Sequence, residues 1–147
     1  MESVSESNLL AEVKRVFVHA RWPVQSYVAL GFLFSAVLTR RLIDARYLAA
    51  LVAWLAIVVG LTVLNAYYDK DESPVGGMQN PPKVNRSLLH GAHTLLVFGL
   101  GLGIIFGATF WGLMLAVVVL YFFYSHEATR WKRNGYVAIA INATVAA

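Results

Sequence analysis

The polar and apolar positions divide the chain into long greasy runs separated by short charged breaks. Trp22–Thr39 is apolar and is flanked by Arg21 and by Arg40–Arg41. Tyr47–Ala66 is a second and longer apolar run. A helix needs about 20 apolar residues to cross roughly 30 Å of hydrocarbon, so each run predicts a membrane span. After Arg86 no Asp, Glu, Lys or Arg occurs until Glu127. One helix over that gap would be about 60 Å long, roughly twice the hydrocarbon thickness, so the chain must fold back. The turn is expected at Gly107–Gly112, GATFWG, giving a third span over Ala92–Thr109 and a fourth over Phe110–Ser125. The last apolar run, Gly135–Ala147, has 13 residues. It reads as the opening of a fifth span that the chain does not finish, or as a short re-entrant or surface helix.

Ahead of the first run, Leu9, Val13, Val16, Phe17 and Ala20 recur at helical spacing, with Glu12, Lys14 and Arg15 mostly opposite. Residues 1–21 are therefore expected to form an amphipathic helix at the membrane surface, or a cytosolic extension of the first span.

Composition supports the same class. The 147 residues are 59% hydrophobic and 14% charged, with a mean hydropathy of +0.62. A soluble domain is about half apolar and a quarter charged. The fold class expected is all-α: a polytopic transmembrane helix bundle of four spans plus a partial fifth, in one domain over residues 22–147. No cysteine is present, which excludes disulfides and thiolate metal sites. The net charge of +4 does not signal nucleic acid, because the basic residues lie between apolar runs, where they set topology and meet anionic groups. Nine of them (Lys14, Arg15, Arg21, Lys70, Lys83, Arg86, Arg130, Lys132, Arg133) fall on one side of the expected topology, and Arg40, Arg41 and Arg46 on the other. The positive-inside rule places the first group in the cytoplasm. In the third span Gly99, Gly103 and Gly107 fall four apart, a stripe that permits close helix approach.

The chemistry concentrates after the second run. Asn65, Asp69, Asp71 and Glu72 follow each other at its end. If the helix continues past Asn65, then Asn65 and Asp69 share a face one turn apart. Amide and carboxylate oxygens suit a hard cation such as Mg²⁺, which binds one or two carboxylates and completes its shell with water and substrate phosphate. Lys70, Lys83 and Arg86 stand nearby to meet phosphate oxygens. Gly76–Gly77 and Pro81–Pro82 bend and stiffen the loop between them. The pattern reads as a site for a diphosphate head group whose tail runs into the bundle. The alternative is a solvated loop whose charges pair with one another.

These residues resemble the first aspartate-rich motif of the UbiA superfamily of intramembrane prenyltransferases, N-D-x-x-D-x-x-x-D. Asn65 and Asp69 match its Asn and central Asp, while Ala66 and Ser73 stand at the other two acidic positions. NRSLLHG at 85–91 is similar to the family's N-R-P-L-x-x-G, with Ser87 in place of proline. ARWP at 20–23 resembles the Arg-Pro start of its first helix, and YSHEATRWKRNG at 124–135 its Tyr-Ser…Lys-Arg segment. The resemblance covers residues 20–142 in order. It implies Mg²⁺-dependent transfer of an isoprenoid group from a prenyl diphosphate to a lipophilic or aromatic acceptor. Asn65, Asp69 and Asp71 or Glu72 would hold the metal, with Lys70, Arg86 and Lys132 or Arg133 on the diphosphate. Tyr67, Tyr68, Tyr121 or Phe122 would face the allylic cation, if they are not ordinary interfacial and packing aromatics. The family has about nine helices and a second acidic motif, whereas only Glu127 is acidic here after Glu72. The chain is thus expected to be an N-terminal half, inactive alone and completed by a C-terminal half. The other classes are a non-catalytic membrane module, which binds prenyl diphosphate or packs with a partner chain, and a small transporter-like bundle. His90 and His93 are three apart, but no third metal ligand stands near them in sequence. Glu127 is expected to pair with Arg130.

Overall fold

A computed structural model describes residues 3–74 and 79–146, so Gly76–Gly77 and Ala147 lie outside the described residues. Six α-helices follow in order: α1 (Ser3–His19), α2 (Trp22–Leu38), α3 (Ala45–Asp69), α4 (Arg86–Gly103), α5 (Ala108–Ser125) and α6 (Gly135–Ala146). Two 3₁₀ turns, Ile104–Phe106 and Trp131–Arg133, follow α4 and precede α6. No strand occurs among the described residues.

Three helices are long and apolar enough to cross a membrane: α3, α4 with its 3₁₀ extension, and α5. The apolar α2 is shorter, at 17 residues. Outward-facing side chains on these helices are large and apolar, with Leu30, Val97 and Leu113 each more than 60% exposed. Such a surface suits lipid rather than water.

The helix boundaries differ from the sequence expectation for local reasons. Asp44 caps α3 by accepting from the Tyr47 N–H at 2.7 Å. The helix then runs one turn past Ala66, so Asn65 and Asp69 do share a face. It stops at Lys70, which is left-handed (φ 53°). The Asp71 N–H reaches back to the Ala66 carbonyl at 3.1 Å, the six-to-one bond that reverses a chain at a helix end. Asn85 caps α4, accepting from the Leu88 N–H at 3.2 Å, so NRSLLHG becomes a cap and the first turns of a helix. The hairpin between α4 and α5 turns at Gly107, whose φ of 101° and ψ of 164° only glycine adopts readily. The fourth run therefore begins at Ala108, and Gly112 lies inside α5.

Helix α3 is the centre of the bundle and packs most extensively against the antiparallel α4. The contact is tight at Gly99, where an added Cβ would stand 2.9 Å from the Ala53 carbonyl oxygen and 2.8 Å from Ile57 Cδ1. Ile57, Leu64, Leu88, Ala92 and Met114 are fully buried around this seam.

Helix α1 docks against the start of α4. Glu12 meets Ser87, and one turn on in both helices Val16 fills the space over Gly91, so the two helices run in the same direction. The Ser87 hydroxyl, with the Arg15 guanidinium beside it, holds the Glu12 carboxyl below its ordinary value. The opposite side of α1, with Leu9, Val13 and Phe17, is exposed. At the break between α1 and α2, Arg21 is left-handed (φ 52°) and Pro23 opens the new helix. The buried Gln25 side chain secures the break, donating to the Ala20 carbonyl at 2.8 Å and to Thr62 Oγ1 at 3.1 Å.

Candidate functional site

The last turn of α3 carries the site. Asn65 Nδ2 donates to Asp69 Oδ2 at 2.9 Å, which turns the amide oxygen away from the carboxylate. That oxygen accepts from Ser125 Oγ at 2.9 Å and from Lys132 Nζ at 3.0 Å. Lys132 is also ion-paired with Asp69, with about a sixth of its side chain exposed (17%). Two oxygens on one helix face thus converge on one cation. Three elements supply the groups: α3, the end of α5, and the 3₁₀ turn after it.

The position of Lys132 follows from the turn that precedes it. After α5 the backbone extends at His126, and the Arg130 N–H returns to the His126 carbonyl at 2.8 Å. Thr129 Oγ1 donates to the Phe123 carbonyl at 2.6 Å, satisfying an acceptor left open at the helix end. Arg130 is left-handed, and Trp131 stacks on Phe123 with ring centroids 5.2 Å apart. With Trp131 held outward, Lys132 turns inward and Arg133 is left exposed. The Tyr124 ring lies 5.9 Å from the Lys132 ammonium, within cation–π reach.

Asp71 and Glu72 are not brought to this point. The reversal at Lys70 sends Asp71 to Arg21, and the resulting ion pair is largely shielded, with 12% of Asp71 exposed. Glu72 Oε1 accepts from the Val84 N–H at 3.2 Å, tying the two ends of the loop together. Lys70, Lys83, Arg86 and Arg133 are exposed and make no ion pair among the described residues. Neither do Glu127 and Arg130. No group of three or more His, Cys, Asp or Glu side chains stands close enough to hold a metal among the described residues. His90 and His93 are both exposed.

The candidate aromatics form one band at this end. Tyr67 and Tyr68 meet edge-on at 5.5 Å, Tyr68 meets the His126 ring at 5.1 Å, and Tyr121 lies 5.2 Å from Tyr124. Phe122 stacks on His126 at 4.8 Å. Tyr67, Tyr68 and Tyr121 are half-buried against the core.

Two long-range partners escaped the sequence reading, one at the site and one that draws Asp71 away from it. Ser125 was visible only as part of YSHE, with nothing to assign its hydroxyl to Asn65. Arg21 was visible as a charge ahead of the first run, but its partner fifty residues away depends on the turn at Lys70. In comparisons with protein-family models, with curated proteins and with solved structures, no match to this chain is found.

Proposed function

We propose that the Asn65–Asp69–Lys132 end of the bundle binds the diphosphate of a prenyl diphosphate, as part of a UbiA-type membrane prenyltransferase. One observation carries the reading: an amide and a carboxylate oxygen from the last turn of a spanning-length helix converge on a single cation. In this reading α2 is a fourth span and α6 opens a fifth. In the same reading the positive-inside rule puts this end in the cytoplasm, and acidic groups from a further segment or partner chain would complete the site.

Asn65 and Asp69 fit a hard cation that keeps most of its water, since such an ion needs only one or two protein oxygens. Asp71 would join them only by leaving Arg21, and Glu72 only by leaving Val84. Bound there, Mg²⁺ would supply neutralisation of the diphosphate charge. Lys132 holds the place where that charge arrives, and its flexible stem lets the ammonium move from Asp69 to a diphosphate oxygen. Ser125 keeps the Asn65 amide oriented while it does so. In the transfer the allylic C–O bond breaks and diphosphate leaves with the electron pair. The carbocation is then captured by an acceptor that gives up a proton. Tyr67, Tyr68 and Tyr121 offer π faces beside the path of the prenyl tail.

The engagement of Asp69 by Lys132 also favours a second reading, a module that binds prenyl diphosphate without transferring it until a partner chain completes the site. Both readings require binding. Titration of farnesyl diphosphate into the solubilised chain should show Mg²⁺-dependent binding, weakened at least about tenfold in Asp69→Ala. Equal affinity in the variant would sink both.

A further inference from the structure

A cleft opens at the end of the bundle opposite Asn65 and Asp69. Helix α3 is 25 residues long, so its first and last residues are about 37 Å apart. Arg46 and Asp69 therefore belong to opposite ends. At the Arg46 end lies a cavity of about 700 Å³ between α2, the start of α3 and the α4–α5 hairpin. That volume falls in the range of small-molecule sites, about 300–1,000 Å³.

The lining has two chemistries. Phe32, Tyr47, Phe106 and Phe110 give it an aromatic wall. Arg41 and Arg46 stand in the same lining, exposed and without an acid partner among the described residues. The acid beside them, Asp44, is engaged as the cap of α3. Arg41 is brought there by the reversal that ends α2: Arg40 is left-handed (φ 51°), and the Arg41 N–H returns to the Ala36 carbonyl at 2.8 Å. The N-termini of α3 and α5 open at this end, and both add positive partial charge. Leu42 and Ile43 between the arginines are exposed, Leu42 by 87%. Exposed aliphatics between unpaired guanidiniums belong at a membrane interface, where the stems sit among acyl chains and the heads among phosphates.

We propose that this cleft binds one phospholipid with an anionic head group. Its phosphate lies between Arg41 and Arg46, matched by the fork geometry of the guanidiniums. The upper acyl chain lies against Phe32, Phe106 and Phe110. The site is separate from the Asn65–Asp69–Lys132 end, and its occupancy does not depend on what binds there.

Trp111, next to Phe110 at the start of α5, is a natural reporter. With Trp22, Trp54 and Trp131 changed to Phe, the chain is placed in nanodiscs containing brominated phosphatidylglycerol or brominated phosphatidylcholine at equal mole fraction. Quenching of Trp111 should favour phosphatidylglycerol by about fivefold. Arg41→Gln/Arg46→Gln should abolish the preference, and Arg41→Lys/Arg46→Lys should keep most of it. Millimolar inorganic phosphate should leave it intact. Equal quenching by the two lipids, or a preference that survives in the double Gln variant, would overturn the proposal. So would loss of the preference to inorganic phosphate, which would mark a site for a soluble anion.

Discussion

Gly99→Leu should break the bundle, while Gly101→Leu, two residues away, should leave it intact. A Cβ at position 99 would meet the Ala53 carbonyl oxygen at 2.9 Å and Ile57 Cδ1 at 2.8 Å. At position 101 it would meet nothing within 4 Å. The isoleucine can change rotamer, but the carbonyl belongs to the backbone of α3 and cannot yield without moving the helix. Overpacking a well-packed core, with the side-chain and backbone shifts it forces, costs about 1–3 kcal/mol and occasionally more. Here the α3–α4 seam, the most extensive contact in the molecule, has to open. A thermal melt of the detergent-solubilised variants should show a large fall in midpoint for Gly99→Leu and almost none for Gly101→Leu. Equal melts would mean that the close approach at Gly99 is wrong. Because α3 carries Asn65 and Asp69 on its last turn, the Gly99 variant should lose farnesyl diphosphate binding as well.

Lys132→Ala should split two affinities in opposite directions. The ammonium now lies on Asn65 Oδ1 and Asp69, the oxygens that the proposed divalent ion would take. Removing it deprives an incoming diphosphate of a charged donor, and hydrogen bonds to charged groups contribute about 1.5–3 kcal/mol. Farnesyl diphosphate should therefore bind at least about tenfold more weakly. The same change removes the competing ammonium from both oxygens and leaves Asn65 Oδ1 with Ser125 alone, so Mn²⁺ added without diphosphate, followed by paramagnetic resonance, should bind more tightly than in the wild type. Lys132→Arg should restore much of the diphosphate affinity, since the charge is kept. If Lys132 served only to hold the turn after α5, Lys132→Ala would weaken both ligands, and that result would count against its place at the site.

Much of the architecture was legible because apolar runs of spanning length have few other folds open to them. Trp22–Thr39 and Tyr47–Ala66 correspond to α2 and α3, and the charge-free stretch after Arg86 folds back as α4 and α5. Asn65 and Asp69 were legible as one helical face. What was hidden lies at the helix ends. Arg21, Arg40, Lys70 and Arg130 all have positive φ, a conformation that a reader expects of Gly or Asn. Each reverses or breaks the chain, and together they decide where the neighbouring charges go. The turn at Lys70 separates Asp71 from Asp69 and gives it to Arg21. The turn at Arg130, with Trp131 stacked on Phe123, selects Lys132 over Arg133, a choice the sequence left open. Ser87, notable in the sequence only as a replaced proline, bonds to Glu12 and docks α1 on α4. Contacts of that range follow from tertiary packing, which no local spacing encodes.

Photo-crosslinking reads directly whether a prenyl diphosphate binds at the Asn65–Asp69–Lys132 end of the bundle. A diazirine-bearing prenyl diphosphate, with Mg²⁺, is irradiated with the reconstituted chain, and the labelled peptides are mapped by mass spectrometry. Adducts should fall on the last turns of α3 and α5 and the turn through Lys132. They should be suppressed by excess farnesyl diphosphate and lost in Asp69→Ala. Adducts confined to the Phe32–Ala50 and Phe106–Trp111 end, or labelling near Lys132 that is indifferent to Asp69, would contradict the account.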